Sequence, residues 1–150
     1  FINKSLCGEL LKNYSEECKS LLIKSEVTKN LKTLRNISGK IPWLIVSGGD
    51  QNELREVFNK KGLTNYFNGG IFGSPDDKDD IIKREISNGL IKLPALMFGD
   101  SKLDHVAAES NNVDFLFVEQ WTDFKDYKEY CIANSIIKVR DISKAINLLN

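Results

Sequence analysis

The sequence predicts an open α/β fold, a parallel sheet covered by helices on both faces. Short, continuous apolar runs such as Leu44-Ile45-Val46 and Ala95-Leu96-Met97-Phe98 have the character of strands buried on both sides. Between such runs lie stretches of roughly 10 to 15 residues with apolar positions three and four apart, the pattern of crossover helices. Strands alternating with helices return in the same direction through right-handed crossovers, which makes the sheet parallel.

Phe1 to Lys24 reads as a helix, because Leu6, Leu10, Leu11, Cys18, Leu21 and Leu22 recur at three- and four-residue steps without proline. No strand precedes it. A second helix is expected from Glu26 to Asn36, with Val27, Leu31 and Leu34 on one face and a stop at Ser38-Gly39. The period then changes: Pro42 to Val46 reads as the first strand, closed by Ser47-Gly48-Gly49. Asp50 is an N-cap candidate for a helix to about Lys61, which Gly62 ends. Gly70 to Gly73 is the next strand, and Asp76 to Asn88 a helix closed by Gly89. Pro94 to Phe98 is a third strand, leading to a helix from Leu103 to Ser110. Asp114 to Val118 is a fourth, before a helix over Phe124 to Ala133. Ile136 to Val139 reads as an edge strand and Ile142 to Leu149 as a final helix. No low-complexity linker or fixed-period repeat interrupts the series.

A length of 150 residues suits about one domain. Lys plus Arg and Asp plus Glu each number 21, so the formal charge is zero. That balance argues against a nucleic-acid or anionic-membrane binder, both of which draw affinity from excess cations. With 41% hydrophobic and 28% charged residues the chain can bury a core and is too apolar for disorder. Its apolar runs fall far short of a ~20-residue membrane span. Cys7, Cys18 and Cys131 are odd in number and lack CxxC spacing, which suits reduced thiols in a cytoplasmic protein better than a disulfide framework or zinc site. The first residue is Phe1 rather than Met, so an upstream segment is expected.

In open parallel sheets ligands bind at the carboxyl ends of the strands, which directs attention to polar residues just after each strand. After the first strand, Gly48 and Gly49 let the backbone approach a ligand, the next helix start offers free N–H groups, and the Ser47 hydroxyl can donate to a phosphate oxygen. The same residues also suit a simple Ser/Gly turn with an Asp cap. After the second strand, Asp76 and Asp77 match the positive end of a helix dipole, whereas Lys78 does not. A lysine there gains by pointing away, into solvent or at a bound anion. After the third strand, Gly99-Asp100-Ser101-Lys102-Leu103-Asp104 puts two carboxylates at the ligand edge. They repel unless they share a cation, and hard oxygen ligands of this kind describe a Mg²⁺ site. The competing reading is a pair of N-capping aspartates. His105 reads as a helix-surface residue ahead of a catalytic base, and Trp43, Trp121 and the phenylalanines as core. The cysteines read as half-buried packing residues.

A strand ending in Ser47-Gly48-Gly49, then Gly73-Ser74-Pro75-x-x-Lys78, then a strand ending in Gly99-Asp100-Ser101-x-x-Asp104, each leading into a helix, resembles the haloacid dehalogenase superfamily. The resemblance covers about Glu26 to Val118 and is nearest to the phosphoglycolate phosphatase and β-phosphoglucomutase group. It implies a Rossmann-like three-layer core with a helical cap inserted after the first strand. Residues 1–24 then resemble the tail of that cap, and 25–150 the core without its first strand. The resemblance implies that Ser47, with Gly48 and Gly49, binds the transferring phosphoryl group, that Lys78 neutralises its charge, and that Asp100 and Asp104 hold Mg²⁺ directly or through water. Ser47, Lys78 and Asp100 form the implied catalytic set. The implied activity is Mg²⁺-dependent hydrolysis of a small phosphomonoester, such as a sugar phosphate or phosphoglycolate-like metabolite, through an aspartyl-phosphate.

The family's first motif, DxDx[TV] after an apolar strand, has no counterpart in these 150 residues. Asp77-Lys78-Asp79 has the spacing but opens a helix. The nucleophile is therefore expected outside this chain, on a strand between Trp43 to Val46 and Ala95 to Phe98. The alternatives are a phosphate- or sugar-binding pseudoenzyme, or a dehalogenase. The latter uses the same aspartyl-ester logic without Mg²⁺, so the Asp100/Asp104 pair argues against it.

Overall fold

A computed structural model describes residues 4–146. The elements run α1 (Lys4–Lys24), α2 (Leu31–Ile37), β1 (Leu44–Asp50), α3 (Gln51–Lys60), β2 (Gly70–Ser74), α4 (Lys78–Ser87), β3 (Leu96–Gly99), α5 (Lys102–Ser110), β4 (Asp114–Val118), α6 (Tyr127–Ala133) and β5 (Ile137–Val139). All strand pairs are parallel, so the expected α/β architecture is present.

Several boundaries differ from expectation for local reasons. α2 starts at Leu31 rather than Glu26, because Asn30 adopts a left-handed conformation with φ 61° just before it. β1 begins at Leu44 and runs on through the glycines to Asp50, its register shifting between Val46 and Asp50. The expected final helix opens as a 3-10 turn at Ile142–Ala145 and is α-helical at Ile146; the expectation for residues 147–149 lies outside the described residues, as does that for 1–3. Gly62 and Gly89 end their helices with φ of 67° and 72°, where a residue with a Cβ is strained.

The strands form two sheets, β1-β2 and β3-β4-β5. Among the described residues no ladder joins β1 to β3. α4, which follows β2, packs back over β1 and against α5, so β1 is the strand turned toward the second sheet. The expectation that β1 and β3 are buried on both faces is not met. β1 is half-buried or exposed throughout, and Leu96 of β3 is 42% exposed. Their outer neighbours are better covered: Ile71 of β2 is buried, and Leu116, Phe117 and Val118 of β4 lie in the core. β4 is paired on both edges, by β3 and β5, whereas β1 and β3 each have one partner among the described residues.

The main apolar cluster joins Leu116, Val118, Val139 and Ala145, with Phe98 and Ile142 packed against it. α1 meets α3 through polar contacts. Lys19 Nζ lies 2.9 Å from Glu56 Oε2, Ser15 bonds Glu53, and Lys61 Nζ donates to the carbonyls of Leu22 and Ile23 at the end of α1. The periodic leucines that predicted α1 are exposed, Leu10 and Leu11 among them.

Candidate functional site

The motif segments lie at the carboxyl ends of β1, β2 and β3, and the second and third of them are in contact. β1 and β2 end side by side, with Asp50 opposite Ser74. The fit is close enough that a Cβ on Gly73 would lie 2.3 Å from the Gly49 carbonyl oxygen. Ser47 is half-buried, and its hydroxyl accepts from the Gly49 N–H at 3.1 Å. Gly48 and Gly49 are exposed, and nothing lies within 4 Å of where a Gly48 Cβ would stand. Asp50 caps α3, accepting from the Glu53 N–H at 2.9 Å. The turn-and-cap reading of this segment therefore describes its hydrogen bonds, while the glycine backbone stays open to a ligand.

Across the junction, Lys78 in the first turn of α4 places Nζ 2.5 Å from Asp104 Oδ1 in the first turn of α5. A lysine at the positive end of a helix is unfavourable alone; here a buried carboxylate compensates it. The other Asp104 oxygen, Oδ2, accepts from the Ser101 hydroxyl at 2.7 Å and from the backbone N–H groups of Ser101 and Asp100 at 3.2 and 3.3 Å. Ser101 in return accepts from the Asp104 N–H, completing a capping box. Asp104 is thus both a helix cap and part of the edge cluster. Its approach to β3 depends on Gly99, where a Cβ would meet Asp104 Cβ at 2.4 Å.

Asp100 is half-buried, directly after β3. Burial first, and the Asp104 carboxylate second, push its pKa above the ordinary aspartate value, with Asp123 adding to the effect and Lys78 opposing it. Among the described residues no salt bridge reaches Asp100. A carboxylate kept uncompensated beside others is what a hard cation would stabilise, so the donor set fits Mg²⁺. Asp100 would hold it. Asp104, committed to Lys78 and to its cap, suits contact through water. No group of three or more His, Cys, Asp or Glu side chains gathers as a metal cluster among the described residues.

Ser47 has no hydrogen bond to Lys78, Asp100 or Asp104 among the described residues; strand pairing alone brings it to the same edge. A cleft of about 530 Å³ lined by Arg55, Phe67, Gly70 and Ile71 lies at the start of β2 and holds no motif residue.

Three expectations need correction. His105 is buried, not on the helix surface: its Nδ1 lies 2.8 Å from Tyr130 Oη and its ring packs against Phe115. It shares the inner face of α5 with Asp104, Ala107 and Ala108, which the approach to β4 covers. Trp121 is 71% exposed and is not core. The three cysteines are unpaired, but Cys7 is exposed and Cys131 buried.

No protein-family model and no curated protein matches the chain by sequence. Solved structures do match its shape. A candidate phosphatase from Clostridium difficile superposes with a TM-score of 0.76 over 100% of this chain and 73% of its own, at 16% identity. A haloacid dehalogenase-like hydrolase from Streptococcus pneumoniae matches with a TM-score of 0.70 at 18% identity, covering 98% of this chain and 72% of that one. The chain has the haloacid dehalogenase-like fold. A hydrolase of the same superfamily from Ehrlichia chaffeensis matches at 0.60 and 21% identity, covering 97% and 71%. At such identities the haloacid dehalogenase-like likeness concerns the backbone course, and the chemistry must be argued from the side chains.

Proposed function

We propose that the protein is a Mg²⁺-dependent phosphatase acting on a small phosphorylated metabolite. The observation that carries this reading is the Lys78–Asp104 contact at 2.5 Å, which draws the second and third motif segments into one charged site at the ligand edge. In the proposed role, Lys78 turns from Asp104 toward a bound phosphoryl group. The open Gly48-Gly49 backbone and the Ser47 hydroxyl receive its oxygens. Mg²⁺, when bound at Asp100, supplies charge neutralisation as the phosphoryl group transfers. Lys78 and backbone N–H groups stabilise the equatorial oxygens in the same way.

None of these residues accepts the phosphoryl group. We assign that step to an aspartate on a strand between β1 and β3, supplied from outside these 150 residues. The half-buried state of both strands supports such a slot. The absence of a DxDx[TV] motif after an apolar strand in these 150 residues equally supports a second reading, a phosphate-binding protein without catalysis. The unpaired cysteines and the balanced charge support a cytoplasmic setting without nucleic-acid or membrane partners. Assay of the full-length protein on a chromogenic phosphomonoester separates the readings: turnover that needs Mg²⁺ supports the phosphatase, and tight phosphate binding without turnover supports the second reading.

A further inference from the structure

The loop after β4 carries a residue that no motif assigns. Thr122 Oγ1 donates to the Asp100 carbonyl at 2.6 Å and accepts from the Phe124 N–H at 3.1 Å. The loop is itself anchored, since the N–H groups of Glu119 and Gln120 donate at 2.9 Å to the carbonyls of Val139 and Arg140 beside β5. On its other side the Asp100 N–H donates to Asp104 Oδ2 at 3.3 Å. Asp100 lies beyond the last paired residue of β3, Gly99 opposite Phe117, so the sheet ladder no longer fixes its peptide. Side-chain hydrogen bonds from Asp104 and Thr122 do so instead.

We propose that Thr122 is a positioning residue for Asp100, holding the carboxylate where it can bind a divalent cation. This rests on the reading of Asp100 as the Mg²⁺ ligand. With its N–H held by Asp104 and its carbonyl by Thr122, the backbone from which the Asp100 carboxylate projects is fixed on both sides. Groups that orient a metal ligand without touching the ion commonly alter metal affinity when removed. Thr122→Val keeps the shape and loses the hydroxyl; Thr122→Ser keeps the hydroxyl.

The test is direct Mn²⁺ binding, as a spectroscopic probe of the Mg²⁺ site, by electron paramagnetic resonance on full-length protein, with Mg²⁺ as competitor and thermal unfolding measured in parallel. Thr122→Val should bind Mn²⁺ on the order of tenfold more weakly than wild type, and Thr122→Ser should bind like wild type. Thr122→Ala carries the same expectation as valine should the latter not fold. Equal affinity in wild type and the hydroxyl-free variants, with only the melting temperature lowered, would show a merely structural role and overturn the proposal. A wild-type protein that binds no Mn²⁺ would instead overturn the metal-site reading on which it rests.

Discussion

Lys78 and Asp104, which begin two different helices, form an ion pair of 2.5 Å in which Asp104 is 6% exposed and Lys78 25%. The pair bridges the two sheets, which no strand ladder joins among the described residues. Each residue occupies the first turn of its helix, so α4 and α5 point their N-terminal ends toward one shared point.

Removing Lys78 leaves the Asp104 carboxylate buried without its cation. Lys78→Ala should lower stability by about 1–3 kcal/mol, discounted from the fully buried case because the lysine is partly exposed. Lys78→Ala combined with Asp104→Asn should recover part of that loss. Urea unfolding of the two variants decides it, and an unchanged midpoint for Lys78→Ala would show that the pair carries nothing.

The glycines of the site separate into two kinds. Gly99→Ala should destabilise strongly, on the order of 2–4 kcal/mol, since its Cβ would stand 2.4 Å from Asp104 Cβ and 2.8 Å from a Phe115 ring carbon. Gly48→Ala meets only open space and should leave the melting temperature nearly unchanged while weakening phosphate binding. Isothermal titration with inorganic phosphate tests the second half; undiminished binding would remove Gly48 from the site.

Asp100 gives the site a pH dependence whose sign follows from its raised pKa. The folded protein holds this proton more tightly than the unfolded chain does. Its contribution to stability is therefore complete below the ordinary aspartate range and is lost as pH rises through the raised value. At neutral pH the ionised carboxylate is a cost that a bound cation relieves. Mg²⁺ should accordingly raise the melting temperature more at pH 7 than at pH 4, and Asp100→Asn should abolish the difference. A Mg²⁺ effect of equal size at both pH values would contradict this.

His105 is packing, and its partner shows how. Tyr130→Phe removes the hydroxyl 2.8 Å from Nδ1 and should cost about 1–3 kcal/mol for the buried imidazole left without a partner. Phosphate binding should be untouched, because among the described residues neither the His105 nor the Tyr130 side chain hydrogen-bonds to Ser47, Lys78 or Asp100. A fall in phosphate affinity matching the stability loss would instead make His105 a residue of the site.

The alternation of apolar runs and helical periods made the fold legible, with β4 and the Asp50 cap found where the residues place them. Asp100, Asp104 and Lys78 were visible as charges just after strands. The Lys78–Asp104 contact was not, because residues 26 apart meet only once both crossovers are in place. Thr122 was hidden for the same reason: a single hydroxyl acting on a backbone carbonyl leaves no pattern in its own neighbourhood. His105 was misplaced because one histidine on a short helix shows no period, and only β4 decides which face is covered. The leucines of α1 mark the opposite failure, a sound period whose leucines stay exposed among the described residues while the helix meets α3 through polar side chains.

Lys78, Ser47, Asp100 and Asp104 are proposed to serve phosphoryl transfer with Mg²⁺ and an aspartate supplied between β1 and β3. The decisive measurement is turnover of a phosphomonoester by the full-length protein and its Lys78→Ala variant, with and without Mg²⁺. Mg²⁺-dependent turnover should fall on the order of 10² or more in the variant, and residues 1–150 assayed alone should show none. Unchanged kcat in Lys78→Ala, or hydrolysis by the 150-residue chain by itself, would contradict it.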